Sequence, residues 1–178
     1  KKIENIKDLF GIKFPVVLKL LSPNITHKTE IGGVKLNIKS IKELKWAFED
    51  ISEKVEQFLP EMKSPKFILQ KMEEGIAEVL LGFKLDPEIG PVVLLGVGGV
   101  LAELYNDVAI RAAPVDYREA FEMIKEVNGL AIIRGYRSAP KGDMRALAKA
   151  ITAISKLACI EGDPVFEAEI NPLLVKED

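Results

Sequence analysis

The spacing of apolar residues in the first third of the chain predicts strands and helices in mixed order. Residues 2–10 carry apolar side chains at helical spacing, whereas residues 14–21 form a short apolar run that is typical of a buried strand. Residues 34–38 alternate and predict a second strand. Ser40 followed by Glu43 forms a capping box, and apolar positions then recur every three or four residues. We therefore expect a long amphipathic helix from residue 40 onward.

The rest of the chain predicts short strands and two more helices. Asp116 and Asp143 are typical N-caps before apolar positions at helical spacing, and we expect the first of these helices to end near Gly129. The predicted strands cover residues 66–72, 76–85, 92–97 and 165–173, with a hairpin formed by residues 100–105 and 108–113. Because these elements do not alternate as regular βαβ units, we predict an α+β fold with two lobes, residues 1–70 and 71–178.

The last predicted strand carries polar groups at every second position. Side chains two residues apart share one face of a strand, so Glu167, Glu169 and Asn171 line up on one side. Carboxylate and amide oxygens suit a hard cation such as Mg²⁺. The alternative is a half-exposed strand with a polar outer face, and the strand alone does not decide between the two.

Lys19 is unusual because it lies inside the apolar run of residues 16–21. A cation in such a strand is usually paired or functional, since burial disfavours its charge. One interpretation is a cation that reaches a nucleotide phosphate. The other is a lysine on an edge strand whose amine extends to water.

Two glycine pairs occur next to predicted strands. Gly32-Gly33 ends a polar loop, and Gly98-Gly99 follows a buried strand. Glycine lets backbone N–H groups approach a phosphate closely, although neither pair has the spacing of a dinucleotide fingerprint or a P-loop. For the Gly98-Gly99 pair, the alternative is that the glycines only form a tight turn.

His27, in the loop before Gly32, is the only histidine of the chain. A single histidine and the distant Cys159 cannot build a zinc site. The imidazole is therefore either a solvated loop side chain or a group for proton transfer or nucleophilic attack.

Composition and charge exclude several classes of protein. The formal net charge is -2, so no basic excess is available to neutralise a nucleic-acid backbone. No apolar run is long enough to span a bilayer, and we expect no membrane partner. A single cysteine allows no intrachain disulfide and fits a reducing compartment, so together with the lack of a leader pattern we expect a cytoplasmic protein.

An ordered series of motifs resembles the ATP-grasp domain of ADP-forming acyl-CoA synthetases, in particular the separate β subunit of archaeal acetate–CoA ligase. The resemblance extends over residues 14–175. Its motifs, in chain order, are Lys19, Ser22-Pro23, His27-Lys28, Gly32-Gly33-Val34, residues 68–72, Glu78, Gly82, Asp86, Gly90-Pro91, Gly96, Gly98-Gly99, Glu103, Asp107, Arg111, Pro114, residues 135–137, and Glu167 to Pro172.

The resemblance implies a two-lobed ATP-grasp fold that binds ATP or ADP with Mg²⁺ between its lobes. The resemblance implies that Lys19 contacts a phosphate, that residues from Gln70 to Met72 lie against the adenine, and that Glu78 binds the ribose. It also implies that the Gly98-Gly99 loop, Glu103 and Arg111 line the phosphate side, and that Glu169 and Asn171 hold Mg²⁺.

The resemblance also implies a phosphoryl relay through His27. A histidine of an α subunit, which carries coenzyme A and the acyl phosphate chemistry, would pass its phosphoryl group to His27 and then to ADP. We therefore expect a ligase subunit that works in a hetero-oligomer with an α subunit. Two alternatives are a self-contained ATP-grasp carboxylate ligase and a regulatory nucleotide-binding module without turnover.

Overall fold

The computed structural model describes residues 2–3, 13–22, 31–58, 60–62, 64–99 and 107–178. The chain forms two compact units, residues 1–73 and residues 74–178. Each unit contains a four-stranded sheet whose strands pair in antiparallel orientation. Each sheet also contributes one face to a hydrophobic core.

The described residues of the first unit form a sheet and one long helix. In chain order its elements are β1 (Lys2–Ile3), β2 (Val16–Leu21), β3 (Val34–Ile38), α1 (Ile41–Phe58) and β4 (Lys66–Lys71). The strand order across the sheet is β1-β4-β2-β3. Leu18 of β2 and Leu69 of β4 are buried in one cluster with Ile51 of α1, so the helix covers the face of the sheet that these leucines share.

The capping box determines where α1 begins. The Ser40 hydroxyl accepts a hydrogen bond from the Glu43 amide at 3.2 Å, and the Glu43 carboxylate accepts one from the Lys39 amide at 2.8 Å. These bonds satisfy amides that have no partner within the helix. The predicted start of this helix is therefore confirmed. Leu44, Ile51 and Val55 of its apolar stripe are buried together with Ala47, whereas Phe58 at the end of the helix is exposed.

The predicted helix over residues 2–10 is wrong where the structure describes it. Lys2 and Ile3 form β1, which pairs with Phe67 and Ile68 of β4. Residues 4–10 lie outside the described residues. The prediction used only the local spacing of apolar residues. Pairing with β4 depends on tertiary contacts, and such contacts can override helix propensity.

The second unit combines a sheet with helices on one of its faces. In the part of this unit that the structure describes, the strands and α-helices are β5 (Ala77–Asp86), β6 (Gly90–Val97), β7 (Val108–Ala112), α2 (Tyr117–Glu126), α3 (Met144–Ser155) and β8 (Glu167–Val175). Residues Asn128–Arg134, Tyr136–Ser138 and Lys156–Cys159 form 3₁₀ helices. The strand order is β7-β6-β5-β8.

Alternate residues of this sheet face the helices. Leu81 of β5, Leu95 of β6 and Ala109 of β7 are fully buried in one cluster with Met123 of α2 and Ile151 of α3. Since successive side chains of a strand point to opposite sides, the residues between them lie on the other side of the sheet. In both units we call the side of the sheet turned away from the helices the opposite face.

Local capping signals placed the helices of the second unit correctly. Asp116 accepts a hydrogen bond from the Glu119 amide at 2.8 Å, and Asp143 accepts one from the Ala146 amide at 2.7 Å. The predicted end near Gly129 is wrong, because α2 ends at Glu126 and the chain continues as a 3₁₀ helix.

The cause of this early end is not local. Asp107, at the start of β7, accepts hydrogen bonds from the amides of Asn128 and Gly129, at 3.1 and 2.6 Å. These amides are therefore held by a residue about twenty positions earlier in the chain. The predicted first strand of the hairpin, residues 100–105, lies outside the described residues, and β7 pairs with β6. No helix in the described part of the chain is long and apolar enough to cross a membrane.

We expect Ser155→Ala to destabilise the second unit. Ser155 is fully buried, and its hydroxyl accepts a hydrogen bond from the Val115 amide at 3.1 Å and donates one to the Thr152 carbonyl at 2.9 Å. Its removal leaves a buried amide without a partner, so the free energy of unfolding should fall by about 1–3 kcal/mol in urea titrations. The matched variant Thr152→Val removes a half-buried hydroxyl that donates to the helical carbonyl of Ala148, and we expect a smaller loss. If the two variants lose the same free energy of unfolding, the hydrogen bond between Ser155 and the Val115 amide does not have the stabilising role that we assign to it.

Candidate functional site

Lys19 lies on a central strand of the first sheet. β2 is paired with β3 on one side and β4 on the other, and Lys19 is directly opposite Val34 and Ile68. The edge-strand interpretation is therefore wrong. Lys19 is half-buried, and its amine has no hydrogen bond or ion pair to any described residue. A cation among apolar neighbours in this position is available for an anionic ligand.

Gln70 shares the opposite face of the first sheet with Lys19. It is directly opposite Val17, two residues before Lys19, and directly opposed residues of two strands share a face. The structure thus brings together two of the predicted nucleotide-binding residues. Met72 follows β4 directly, and its amide donates to the Pro15 carbonyl at 2.9 Å.

The Gly32-Gly33 pair is held against the first sheet. The Gly33 carbonyl accepts a hydrogen bond from the Leu20 amide at 2.8 Å, next to Lys19. Gly32 has a φ of 69°, and the Lys54 side chain lies 3.0 Å from where its Cβ would be. Both the conformation and this contact favour glycine at position 32.

A small ion-pair cluster fixes that lysine. Asp50 accepts from Lys35 at 2.8 Å and from Lys54 at 2.6 Å. These two hydrogen bonds lower the pKa of the Asp50 carboxyl, and the bond to Asp50 raises the pKa of the Lys54 amine. Lys54 is therefore held as a cation beside Gly32. His27 itself lies outside the described residues, so its role stays a prediction.

In the second unit, the structure brings Glu78 and the Gly98-Gly99 pair together. The Gly98 amide donates to the Glu78 carbonyl at 2.8 Å. A Cβ on Gly98 would be 2.8 Å from the Val79 nitrogen, and one on Gly99, whose φ is 71°, would be 2.7 Å from a Glu78 carboxylate oxygen. Close packing against the β5 backbone therefore requires glycine at position 98, and the positive φ favours glycine at position 99. Glu103 lies outside the described residues.

Glu167 and Glu169 lie on the opposite face of the second sheet, as their alternation predicts. Glu169 is directly opposite Gly82 and Glu167 is directly opposite Lys84, whereas Ala168 is opposite the buried Phe83. Both carboxylates are exposed, and neither has a hydrogen bond or ion pair within the described ranges.

Asn171 does not continue this alternation in a regular ladder. The pairing shifts between the Leu81–Ile170 and Val79–Leu173 pairs, so Asn171 and Pro172 fall in an irregularity of β8. Proline cannot donate a ladder hydrogen bond, and Pro172 was the sequence signal that could have indicated this interruption.

The residues on the opposite face fit a Mg²⁺ ion. Exposed carboxylates without partners are the oxygen donors that Mg²⁺ prefers, and Mg²⁺ in nucleotide sites takes one or two carboxylates together with phosphate oxygens and water. No group of three or more His, Cys, Asp or Glu side chains suited to a metal occurs in the described part of the chain. Glu169, with Glu167 and Asn171 as neighbours, would therefore supply only part of the ligand shell.

Arg111 lies on the helix-covered face of the second sheet. It is directly opposite the buried Val93, and its guanidinium donates to Glu119 at 2.6 Å and to Glu126. These two carboxylates raise the pKa of the guanidinium. The structure therefore places Arg111 with α2, apart from the face that carries Glu169, and its predicted catalytic role is not supported by its contacts. The spacing of Glu119 and Glu126, two turns apart on one helix, was the signal that sequence reasoning missed.

Comparison with known proteins finds a matching family and similar sequences. The family model for the ATP-grasp domain matches residues 3–178. The chain is 37% identical over 175 residues to the β subunit of acetate–CoA ligase (ADP-forming) I of Pyrococcus furiosus, a match that covers 98% of this chain and 75% of that subunit. It is 38% identical over 178 residues to acetate–CoA ligase (ADP-forming) I of Archaeoglobus fulgidus, covering 99% of this chain and 26% of that protein.

Solved structures show the same relationship. Acetyl-coenzyme A synthetase 1 of Ca. Korarchaeum cryptofilum, in complex with coenzyme A, Ca-AMPCP and HgCl⁺, superposes with a TM-score of 0.83 at 34% identity, covering 96% of this chain and 74% of that chain. A second complex of that synthetase contains coenzyme A and Mg-AMPPCP, with its phosphohistidine segment pointing towards the nucleotide-binding site.

The chain belongs to the ATP-grasp domain family. The predicted family and the predicted α+β ATP-grasp fold are thereby confirmed. The chain spans about a quarter of the length of the Archaeoglobus relative and three quarters of the Pyrococcus β subunit.

We expect Arg111→Gln to lower the stability of the second unit. The guanidinium joins β7 to α2 through two carboxylates whose side chains are almost half exposed, so solvent screening reduces the loss to about 1–2 kcal/mol in the free energy of unfolding. The matched variant Arg118→Gln removes an exposed arginine of α2 and should change the stability by less than about 0.5 kcal/mol. If both variants unfold at the wild-type denaturant concentration, Arg111 does not hold the helix to the sheet.

Proposed function

We propose that this chain is the nucleotide-binding part of an ADP-forming acyl-CoA synthetase of the acetate–CoA ligase type. The observation that carries the proposal is Lys19, a half-buried cation on a central strand with no partner in the part of its unit that is described. The match to the Pyrococcus β subunit, which covers 98% of this chain and 75% of that subunit, supports the class of reaction, an ADP-forming acyl-CoA synthetase.

The proposed reaction is acyl-CoA + ADP + phosphate ⇌ carboxylic acid + coenzyme A + ATP. In the ATP-forming direction, a partner subunit would present a phosphohistidine to His27. The His27 imidazole nitrogen would form a P–N bond as the P–N bond to the partner's histidine breaks. An oxygen of the ADP β-phosphate would then attack the same phosphorus, and His27 would leave. A neutral imidazole is nucleophilic near neutral pH, so this step requires no strong base beside it.

The other residues would position the nucleotide and neutralise charge, which is how proteins chiefly catalyse phosphoryl transfer. Lys19 would bind a phosphate, with Gln70 and Met72 near the base. Glu78 and the Gly98-Gly99 pair would bind the ribose and phosphate side. Glu169 and Asn171 would hold Mg²⁺, which supplies positive charge to the phosphates. Each of these roles belongs to the proposal.

A partner with the coenzyme A site is part of the proposal. The matched Pyrococcus protein is a β subunit, and the matched Archaeoglobus protein is about four times as long as this chain. We propose that an α subunit, or an α domain in the same polypeptide, carries the acyl and coenzyme A chemistry. The assembly as a hetero-oligomer and its location in the cytoplasm stay predictions.

Replacing Lys19 should weaken nucleotide binding. A charge-assisted contact to a phosphate contributes about 1.5–3 kcal/mol, so Lys19→Met should raise the dissociation constant for Mg-ADP at least tenfold in calorimetric titrations. Lys45→Met is the matched control because Lys45 is an exposed lysine of α1, and its affinity should equal that of the wild type. Equal affinities of the two variants would remove Lys19 from the site.

His27→Ala should abolish ATP formation from acyl-CoA, ADP and phosphate in the presence of the partner subunit, while ADP still binds. Under turnover with labelled phosphate, the wild-type chain should carry an acid-labile, alkali-stable phosphoryl group that the variant lacks. This result would also separate the synthetase from a regulatory module, which would show no turnover. A variant with near-normal turnover would show that the phosphoryl group does not pass through His27.

A further inference from the structure

Gly82 lies in the middle of β5, a central strand of the second sheet. Glycine in a strand interior is destabilising relative to alanine, because it has more backbone freedom to lose on folding. Such a glycine usually marks a bulge, a bend, or a place where a ligand or another backbone comes close. The cost calls for a physical reason at this position.

The local structure does not supply that reason. Gly82 pairs regularly with Leu94 on β6 and with Glu169 on β8, and its φ is not positive. A Cβ at this position would meet only the Ala168 carbonyl oxygen and the Leu94 Cβ, each at 3.9 Å, which is ordinary van der Waals contact. An alanine would therefore fit without strain.

The two other glycines of β5 and β6 are different. Gly90 has a φ of 85°, which an L side chain rarely adopts, and a Cβ on Gly96 would be 3.0 Å from a methyl carbon of Val108. Both are thus explained by turn geometry or by packing. Gly82 has neither explanation, although the sequence series that identified the family includes it.

Two carboxylates lie on the face of the sheet to which a side chain at position 82 would belong. Glu169 stands directly across from it on the opposite face, and Glu167 is one step further along the same face. Directly opposed residues have Cβ positions about 4.5–5.5 Å apart, so any side chain at position 82 would lie beside the Glu169 carboxylate. That carboxylate has no partner within the residues that the structure describes.

We propose that Gly82 sets how closely the Mg²⁺-bound phosphates of the nucleotide approach the sheet beside Glu169. The missing side chain leaves the surface next to the carboxylate free, and a Mg²⁺–nucleoside diphosphate lies over it. This inference rests on the proposed function and adds a size-determining residue to its site. The residue acts by leaving room, not by donating or accepting a bond.

The test uses the full-length protein and the variants Gly82→Ala and Gly82→Val. Both should melt at or above the wild-type temperature, because each removes the entropic cost of glycine and valine favours strands. Calorimetry should show a lower affinity for Mg-ADP in both variants, by about tenfold or more for Gly82→Val. Valine carries two methyl groups more than alanine, and overpacking at a close contact with the ligand is as costly as overpacking in a core.

Ala112→Val is the matched control. Ala112 is exposed on β7, and its pairing with Val92 puts it on the opposite face of the same sheet, at the edge away from β8. It should bind Mg-ADP with the wild-type affinity.

Two results would overturn the inference and leave the proposed function intact. If Gly82→Val binds Mg-ADP as tightly as the wild type, no ligand uses the space. If both Gly82 variants melt well below the wild type and the control, the fold itself needs the glycine because another part of the chain packs there. A wild-type protein that fails to bind Mg-ADP at all is a different outcome, because it refutes the proposed function and the inference with it.

Discussion

Each sheet of this protein is covered by the helices of its own unit on one face, and the possible role of every candidate residue depends on the face to which it belongs. Because successive side chains of a strand alternate, one strand can bury Leu18 under α1 and still present Lys19 on the other side. The same alternation separates the buried Leu81 from Gly82 in the second unit. Core and candidate site are thus built from neighbouring residues, so mutations in the strands must be interpreted position by position.

Arg111 shows how strongly this constraint acts. It belongs to the ordered motifs that identify the family, yet its side chain is on the covered face and its guanidinium is shared between two carboxylates of α2. In the conformation described here, a nucleotide phosphate would have to compete with both. Lys19 is half-buried as well, but it has no partner among the described residues. Of these two cations, Lys19 is therefore the one whose contacts support binding to a phosphate.

The glycines of the second unit divide by physical cause. Gly98 and Gly99 pack so closely on β5 that a Cβ would collide with backbone or with the Glu78 carboxylate. Their presence follows from the fold, whatever they bind. Gly82 meets no such contact among the described residues, and we attribute it to the approach of a ligand. Close packing and ligand approach produce the same residue in the sequence, and they are distinguished only by measuring what a Cβ would meet.

Local signals in the sequence were sufficient for the helix starts at Ser40, Asp116 and Asp143, and the ordered motifs were sufficient for the family and the α+β ATP-grasp fold. Capping bonds join residues three apart, so the chain carries them in a short stretch. Other features depend on residues that are distant in the sequence. These are the pairing of Lys2–Ile3 with β4 and the hydrogen bonds that the Asp107 carboxylate accepts from amides just after α2. The irregularity of β8 at Asn171 and the ion pairs of Arg111 are of the same kind. Tertiary structure alone decided these, because each partner is brought close only when the sheets and helices pack.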